Sequence, residues 1–231
     1  MARWQSWGCA RGPALTRHHS KARRAGVQPT VGLVVEGDAE FDAFPLLHKN
    51  KLIAGCPPIK ATNLNGVGSD RKPEGIAKLI APKVIAHQTA GRTKVIVCID
   101  REQRSLCAPG FATAVLNALK TELQSRNKPS DDVHVVIADR TFEAWLLADS
   151  KGLHQRRVFK HAPKFNSFEG QMGERQRKGV IELDNLLGRP YSKTKDGPDI
   201  FTNLDFPTAR THSKGAAGSK SLDKFLRTLG V

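Results

Sequence analysis

The fold is decided by the stretch Val31-Gly-Leu-Val-Val-Glu-Gly-Asp-Ala-Glu40. Its first five residues are apolar and mostly β-branched, which is typical of a strand buried on both faces of a parallel sheet. Gly37 permits a tight turn into a helix, so Glu36 is expected at the carboxyl end of the strand. Ligands of open α/β sheets bind outside the carboxyl ends of the strands, so Glu36 and Glu40, one helical turn later, could face one cation.

The acids of this stretch also have a simpler explanation. Asp38, Glu40 and Asp42 would lie in the first turns of the helix, where negative charges complement the helix dipole in many proteins. A short acidic motif matches many unrelated sequences by chance. The stretch alone therefore predicts a strand and a turn, and it leaves the metal site open.

A second strand end delivers another pair of acids. The run Thr93-Lys-Val-Ile-Val-Cys-Ile-Asp-Arg-Glu102 is again an apolar strand that ends in a carboxylate, here Asp100, with Glu102 two residues later. Residues separated by two point to the same side of an extended chain, so we expect both carboxylates to approach one ion. The alternative is an ordinary strand end followed by a charged loop.

A third apolar run, residues 133–138, ends in Asp139-Arg140 and opens a helix that bears Glu143 and Trp145. Parallel strands bring all three ends to the same edge of a sheet. Glu143 could instead be a first-turn helix acid. Trp145 is expected in the core, since aromatic residues at helical spacing are usually buried.

The positive charge belongs to the two ends of the chain. The 231 residues carry a formal net charge of +15. Residues 1–30 hold six Lys or Arg and no acids, residues 31–150 hold 15 against 14, and residues 151–231 hold 16 against 8. Nucleic acid suits such basic ends, because each Lys or Arg that neutralises a phosphate releases counterions. Solubility is the simpler alternative.

Several classes of protein are disfavoured by the sequence. No run approaches the roughly eighteen apolar residues that span a bilayer, so we expect a cytoplasmic protein without membrane contact. Four cysteines without CxxC spacing suggest neither a zinc site nor a disulfide framework. The sequence also lacks a P-loop and a G-x-S-x-G elbow, so any energy from ATP would need a partner.

Three segments are expected. Residues 1–29 are interpreted as a disordered basic segment, residues 30–150 as an α/β domain, and residues 151–231 as a basic extension of helices and loops packed on that domain. Within the extension, residues 191–195 and 208–220 are rich in Lys, Ser, Gly and Thr. They are expected to be loops that hold a nucleic-acid backbone, or alternatively parts of a solvated helical cap.

These motifs, in this order, resemble the TOPRIM fold of topoisomerases, primases and OLD-type nucleases. More narrowly, the chain resembles a prokaryotic TOPRIM-like family of unknown function that is often encoded beside ATPases in mobile or anti-phage loci. The resemblance covers about residues 30–229 and includes the following segments: Glu36-Gly37, Asp100-x-Glu102, the block from Asp139 to Asp149, Tyr191-Ser-Lys193 and the terminal helix from Ser219 to Leu229.

The resemblance implies a central parallel sheet of about four strands flanked by helices. It also implies a Mg²⁺ site at Glu36, Asp100 and Glu102, with Glu40 and Glu143 as candidates for a second ion. Glu102 stands where the motif usually has Asp, and its side chain is longer by one methylene. Oxygen ligands agree with Mg²⁺ or Mn²⁺, which are hard cations.

The expected function is a metal-dependent nuclease or phosphotransfer protein acting on nucleic acid, with a possible ATPase partner in anti-phage defence. Glu36 would be a ligand and possible base, Asp100 a bridging ligand, and Glu102 and Glu40 supporting ligands. Two alternatives stay open: a non-catalytic TOPRIM-like subunit of an ATPase complex, and an enzyme that binds small phosphoesters or nucleotides.

The expected phosphate contacts are Arg140 and Lys193. Arg140 could instead form a structural ion pair with Asp139 or Asp149. The sequence does not decide between these roles of Arg140.

Overall fold

A computed structural model describes residues 29–165, 178–211 and 218–231. The expectation of disorder for residues 1–29 falls almost wholly outside the described residues. None of the described helices is both long and apolar enough to cross a membrane. In chain order the elements are β1 (Val31–Val35), α1 (Asp38–Ala43), α2 (Leu46–Lys49), β2 (Ile59–Asn63), α3 (Pro73–Thr89), β3 (Val95–Asp100), α4 (Ala108–Gln124), β4 (Val133–Ala138), α5 (Phe142–Leu146), α6 (Ser150–Gln155), α7 (Lys178–Leu187), α8 (Lys193–Thr202), α9 (Phe206–Ala209) and α10 (Lys220–Leu229).

The four strands form one parallel sheet in the order β2-β1-β3-β4. At the carboxyl end of β1, Val35 is level with Asn63 of β2 and with Cys98 of β3. The central position of β1 explains its continuous apolar sequence, because all five of its residues are buried. The predicted α/β class, with an all-parallel sheet and helices towards the C-terminus, is confirmed, and the architecture is Rossmann-like.

Hydrophobic cores lie on both faces of the sheet. Successive strand side chains point to opposite faces, so Val34 packs into one core while Leu33 and Val35 pack into the other. Helices α3 and α4 cover the face of Val34 with residues such as Ile80 and Leu119. Helices α1, α5, α8 and α10 contribute to the other core. The sheet therefore lies between two helical layers.

The C-terminal helices belong to the same core as the sheet. Phe44 is fully buried, and its ring centroid lies 5.5 Å from Phe142, 5.8 Å from Trp145, 5.3 Å from Phe201 and 4.7 Å from Phe225. Phe201 belongs to α8 and Phe225 to α10. Trp145 is fully buried, so its predicted place in the core is confirmed.

Residues 191–195 differ from the loop that the sequence predicted, because α8 begins within them at Lys193. The start of α8 is fixed by contacts of Asp196 in its first turn with residues just before the helix. The carboxylate of Asp196 accepts a hydrogen bond from the backbone N–H of Ser192 at 2.7 Å and pairs with Arg189 at 2.7 Å. Local side-chain contacts thus help to stabilise a helix in a segment of low helix propensity.

We expect Phe44→Ala to lower the free energy of unfolding by about 3–5 kcal/mol, because it removes a buried ring and leaves a cavity. Phe41→Ala is the matched control on the neighbouring helix α1, since Phe41 is 39% exposed, and it should change stability by less than about 0.5 kcal/mol. Urea unfolding monitored by circular dichroism measures both. Equal losses in the two variants would contradict the central role of Phe44.

Candidate functional site

Glu36 lies where β1 separates from its neighbours. Its carboxylate accepts hydrogen bonds from the backbone N–H of Val67 at 3.1 Å and of Asp100 at 3.0 Å. The chain turns into α1 at Gly37, and the carbonyl of Glu36 accepts the N–H of Gly66 at 2.9 Å. The side chain therefore satisfies the Asp100 amide at the end of β3, and Glu36 and Asp100 converge as the sequence predicted.

Two further carboxylates come from helices α1 and α5. Glu40 and Glu143 are only 7% and 3% exposed. The Glu40 carboxylate lies against Gly37, since a Cβ added to Gly37 would lie 2.9 Å from Glu40 Oε2. Glu40 lies in the first turn of α1, as the helix-dipole explanation expects, but its side chain is buried, whereas Asp42 is exposed.

The buried carboxylates influence one another. Burial raises the pKa of Glu40 to about 7, and the negative charges of Glu143 and Glu36 act in the same direction. Burial also raises the pKa of Asp100 well above its ordinary value, and the charges of Glu40, Glu143 and Glu36 add to the effect. Carboxylates from β3, from the end of β1, from α1 and from α5 thus form one acidic cluster, which consists of Glu36, Glu40, Asp100 and Glu143.

Lys193 supplies positive charge to the acidic cluster. Its Nζ atom lies 3.2 Å from Oε1 of Glu143. Burial alone would lower the pKa of Lys193, but the charges of Glu143, Asp100 and Glu40 raise the pKa on balance. The sequence predicted a phosphate contact here, and the contact that Lys193 makes in the structure is with a carboxylate.

Glu102 does not lie beside Asp100 on an extended chain, so that part of the prediction is wrong. Strand β3 ends at Asp100, and Glu102 has a left-handed backbone with φ of 51°. Its carboxylate lies 3.4 Å from a guanidinium nitrogen of Arg104. Burial raises the pKa of Glu102, and the charge of Glu36 contributes. Glu102 therefore lies close enough to Glu36 for their negative charges to repel each other, but it is not a member of the acidic cluster.

Arg140 forms neither of the ion pairs that the sequence allowed. Asp139 pairs with Arg101 at 2.7 Å, and Asp149 pairs with Arg156 at 2.5 Å. Arg140 instead exchanges hydrogen bonds with the backbone of Glu102: its guanidinium donates to the Glu102 carbonyl at 2.8 Å, and its own carbonyl accepts the Glu102 N–H at 2.7 Å.

Both Arg140 and Glu102 have positive φ, at 82° and 51°. Such conformations cost side-chain-bearing residues about 1–3 kcal/mol and are concentrated at functional sites. The two strained residues are hydrogen-bonded to each other just beyond the carboxyl ends of β3 and β4. The Arg140 Nε atom is buried and has no hydrogen-bond partner within the described ranges.

The donor chemistry of the cluster fits a hard divalent cation, because every donor is a carboxylate oxygen. Each oxygen of Glu36 accepts one backbone hydrogen bond and retains a second lone pair. The side chains are not arranged as a closed ligand set: among the described residues, no three His, Cys, Asp or Glu side chains are positioned to hold a metal ion. Glu143 is engaged with Lys193 instead.

Three neighbours of the cluster were not assigned from the sequence. The buried hydroxyl of Tyr191 has no hydrogen-bond partner within the described part of the chain, and burial together with the charge of Glu143 raises the pKa of Tyr191. A Cβ at Gly197 would lie 3.0 Å from that hydroxyl.

The third neighbour is Arg104, which donates hydrogen bonds to the carbonyls of Asp100 at 3.1 Å and Gly68 at 2.5 Å. Such long-range contacts leave no periodic signal in a sequence.

Comparison with known protein families matches most of the chain, including these residues. A family described as "Domain of unknown function (DUF4276)" matches residues 36–229. The chain belongs to this family. The DUF4276 match begins at Glu36 and reaches the end of α10, so it includes the acidic cluster and the C-terminal helices. No curated protein and no solved structure matches the chain.

We expect the stability of this DUF4276 protein to fall as the pH rises. The folded-state pKa of Glu40 is about 7 against an ordinary 4.5, so the folded state binds the proton more tightly. The resulting stabilisation is complete below about pH 4.5 and is lost as the pH approaches 7; its size is on the order of 3 kcal/mol. The raised pKa of Asp100 acts in the same direction.

Urea unfolding in EDTA between pH 4.5 and 8 measures this decline. Glu40→Gln, which cannot ionise, should flatten it, whereas Asp42→Asn, an exposed change on the same helix, should follow the wild type. Parallel curves for wild type and Glu40→Gln would contradict the interpretation.

Proposed function

We propose that this protein is a TOPRIM-like, Mg²⁺- or Mn²⁺-dependent enzyme that cleaves or transfers phosphodiesters of nucleic acid, working with a separate ATPase in anti-phage defence. The observation that carries the proposal is the acidic cluster: four separate elements bring carboxylates together at the carboxyl ends of the strands, where ligands of α/β sheets bind, and three of the four residues are buried while Asp100 is partly exposed. Perturbed acids in such a place are typical of functional sites.

The burial of these acids is difficult to explain by stability alone. Each ionised carboxylate that leaves water loses hydration free energy, and neighbouring carboxylates repel one another. Lys193 offsets part of this charge through Glu143. A divalent cation beside Glu36 and Asp100 would offset the rest if these side chains closed around it, with Glu102 and Glu143 in supporting positions. Such an ion activates water and stabilises negative charge on phosphate oxygens.

Glu40 is the best candidate for a general base. Without a bound cation its pKa is about 7, and a cation beside Glu36 and Asp100 would lower that pKa and leave Glu40 ionised, so that it can accept a proton. Glu36, the base considered from sequence, has both carboxylate oxygens engaged by backbone N–H groups. In the proposed reaction Glu36 positions the end of β3, and Glu40 takes the proton from the attacking water.

The cationic groups near the cluster suit the phosphate backbone. Arg140 is anchored to the Glu102 carbonyl by one nitrogen, and its fork of donors matches phosphate geometry. Lys193 has a side chain that is 65% exposed although it reaches Glu143, so the same ammonium is accessible to a ligand. The absence of a P-loop from the sequence is the reason for assigning any ATP hydrolysis to a partner.

Purified protein incubated with supercoiled plasmid or with RNA, in Mg²⁺ or Mn²⁺, tests the proposal. We expect cleavage that EDTA abolishes and that Asp100→Asn reduces by about 100-fold or more, the size of loss typical of one electrostatic group in an active site. Asp42→Asn should retain wild-type cleavage, since it removes an exposed acid from α1.

Asp100→Asn is preferable to Glu36→Gln as the decisive variant. An amide at Glu36 would place an NH₂ group against one of the two backbone N–H groups that the carboxylate accepts, so loss of activity there would be confounded with loss of structure. Absence of cleavage by the wild type on both substrates, or equal cleavage by Asp100→Asn of native stability, would reject the nuclease function.

A second candidate is a non-catalytic TOPRIM-like subunit of an ATPase complex. It is favoured by the engagement of Glu36 with backbone amides and of Glu143 with Lys193. In that function the acids would fix the sheet mouth, and Lys193 would be their permanent counter-ion. The two candidates differ in whether a divalent cation binds the cluster at all.

A thermal-shift titration with Mg²⁺ and Mn²⁺ separates them. For the enzyme we expect the folded state to be stabilised by about 2.7 kcal/mol at a cation concentration 100-fold above Kd, with the effect lost in Asp100→Asn and kept in Asp42→Asn. An unchanged melting temperature in the wild type across both titrations would favour the non-catalytic subunit.

A further inference from the structure

A groove runs along the outer edge of strand β4, away from the acidic cluster. It encloses a cavity of about 350 Å³. Helix α4 lines one wall with small residues, helix α10 lines the other, and the floor is formed by three consecutive residues of β4, from Val135 to Ile137. Side chains of successive strand residues point to opposite faces, so three consecutive residues share one cavity only where the backbone edge itself is presented.

The edge of β4 offers unpaired backbone groups. The carbonyls of Asp132 and Ala138 accept hydrogen bonds from Val95 and Arg101 on the β3 side. Residues alternate along a strand in the direction of their N–H and C=O groups, so those of Val135 point away from β3, and those of Ile137 do the same. Strand β4 is the last strand of the sheet, and neither outward pair has a hydrogen-bond partner among residues 29–165, 178–211 and 218–231.

The ends of the groove are already closed. At one end, the N–H of Val133 donates to the carbonyl of Ser130 at 3.2 Å. At the other, the N–H of Asp139 donates to the hydroxyl of Ser221 on α10 at 3.1 Å. The unpaired section is therefore short. Val135 and Ile137 are only 8% and 3% exposed, so a short extended peptide would pair with this section by entering the cavity between α4 and α10.

The wall formed by α10 is basic. Lys220, Lys224 and Arg227 line the groove, and all three are exposed. The one acid in the lining, Asp139, pairs with Arg101 at 2.7 Å. Arg227 has an ion pair with Asp223 on its own helix, and its side chain is 62% exposed. The charge that a ligand meets beside the open edge is thus positive.

We propose that the β4 edge is a docking site for an acidic, extended peptide segment of a partner protein, which adds to the sheet as a fifth strand. Backbone hydrogen bonds to Val135 and Ile137 give affinity, as in other strand-addition complexes. Acidic side chains of the peptide meet Lys224 and its basic neighbours. This inference does not depend on the proposed enzymatic function.

The charge argues against two other occupants. A second copy of the chain would bring an identical basic wall to the same edge, and like charges on edge strands oppose such pairing. Residues 1–30 of the chain hold six Lys or Arg and no acids, so that segment is repelled by the same wall. An acidic segment of a partner protein is attracted by the basic residues of α10 and is not repelled by them.

Fluorescence anisotropy with the full chain tests the proposal, using a fluorescein-labelled peptide of four Glu-Val repeats and the matching peptide of four Lys-Val repeats. We expect saturable binding of the acidic peptide only. Lys224→Glu should weaken it at least tenfold, whereas Lys83→Glu, an exposed change on α3, should leave it unchanged. Absence of saturable binding, equal binding of both peptides, or full binding by Lys224→Glu would overturn the proposal.

A second pair of variants tests strand addition itself. Val135→Pro removes an N–H that points away from β3, so the ladder with β3 is preserved, as for proline in edge strands generally. Val135→Ala keeps that N–H and makes a comparable loss of side-chain packing. We expect the affinity for the acidic peptide to fall tenfold or more in the proline variant and to stay unchanged in the alanine variant. Circular dichroism should confirm that both variants remain folded.

Three results would contradict strand addition by an acidic peptide, and two of them would identify a different ligand of the β4 edge. Equal peptide binding by the proline and alanine variants would reject strand addition. Displacement of the peptide by a single-stranded oligonucleotide that binds Val135→Pro as tightly as wild type would identify a nucleic-acid surface instead. A dimer in sedimentation velocity that dissociates in Val135→Pro but not in Val135→Ala would identify a second copy as the occupant.

Discussion

The carboxyl ends of β1 and β3 depend on one carboxylate, that of Glu36, which accepts hydrogen bonds that a backbone carbonyl would otherwise accept. Strand β1 turns into α1 at Gly37, and the Glu36 side chain accepts the amides of Val67 and Asp100 at 3.1 and 3.0 Å. A buried amide without a partner costs about 1–3 kcal/mol, so a residue with two acceptor oxygens is required there. The same requirement brings a carboxylate to the strand ends, and the other acids collect around it.

Because four carboxylates lie close together, their negative charge has to be neutralised. Glu40, Asp100 and Glu143 approach Glu36 from three further elements, and burial with mutual repulsion raises the pKa of Glu40 and of Asp100. The cluster can be neutralised by protons, by Lys193 or by a divalent cation. These compensations exclude one another in part, because Glu143 Oε1 faces the Lys193 ammonium at 3.2 Å. The chemistry of the site is therefore decided by which positive charge the cluster holds.

The sequence predicted those features that follow from short-range patterns. Apolar runs located the strands, and the acids that follow two of them located Glu36 and Asp100 at one edge. The extended pairing of Asp100 with Glu102 failed, because a left-handed Glu at φ of 51° has no recognisable pattern in a single sequence. The contact of Lys193 with Glu143 joins residues 50 positions apart in the chain, and helix α8 depends on Asp196 and Arg189. The first is a tertiary contact and the second is a pairing of two individual side chains, and neither produces a periodic pattern in a single sequence.

The distribution of charge links the cluster to the partners that the chain can accept. Glu36, Glu40 and Glu143 are buried and contribute little to the outer surface, and the full sequence carries a net charge of +15. A polyanion is attracted to such a net charge at long range and is repelled by ionised carboxylates at short range. For the proposed phosphodiester substrate, a cation or a proton at the cluster would lower this repulsion before a phosphate reached Asp100. Lys193, whose side chain is 65% exposed and whose Nζ atom lies 3.2 Å from Glu143, would respond to either change.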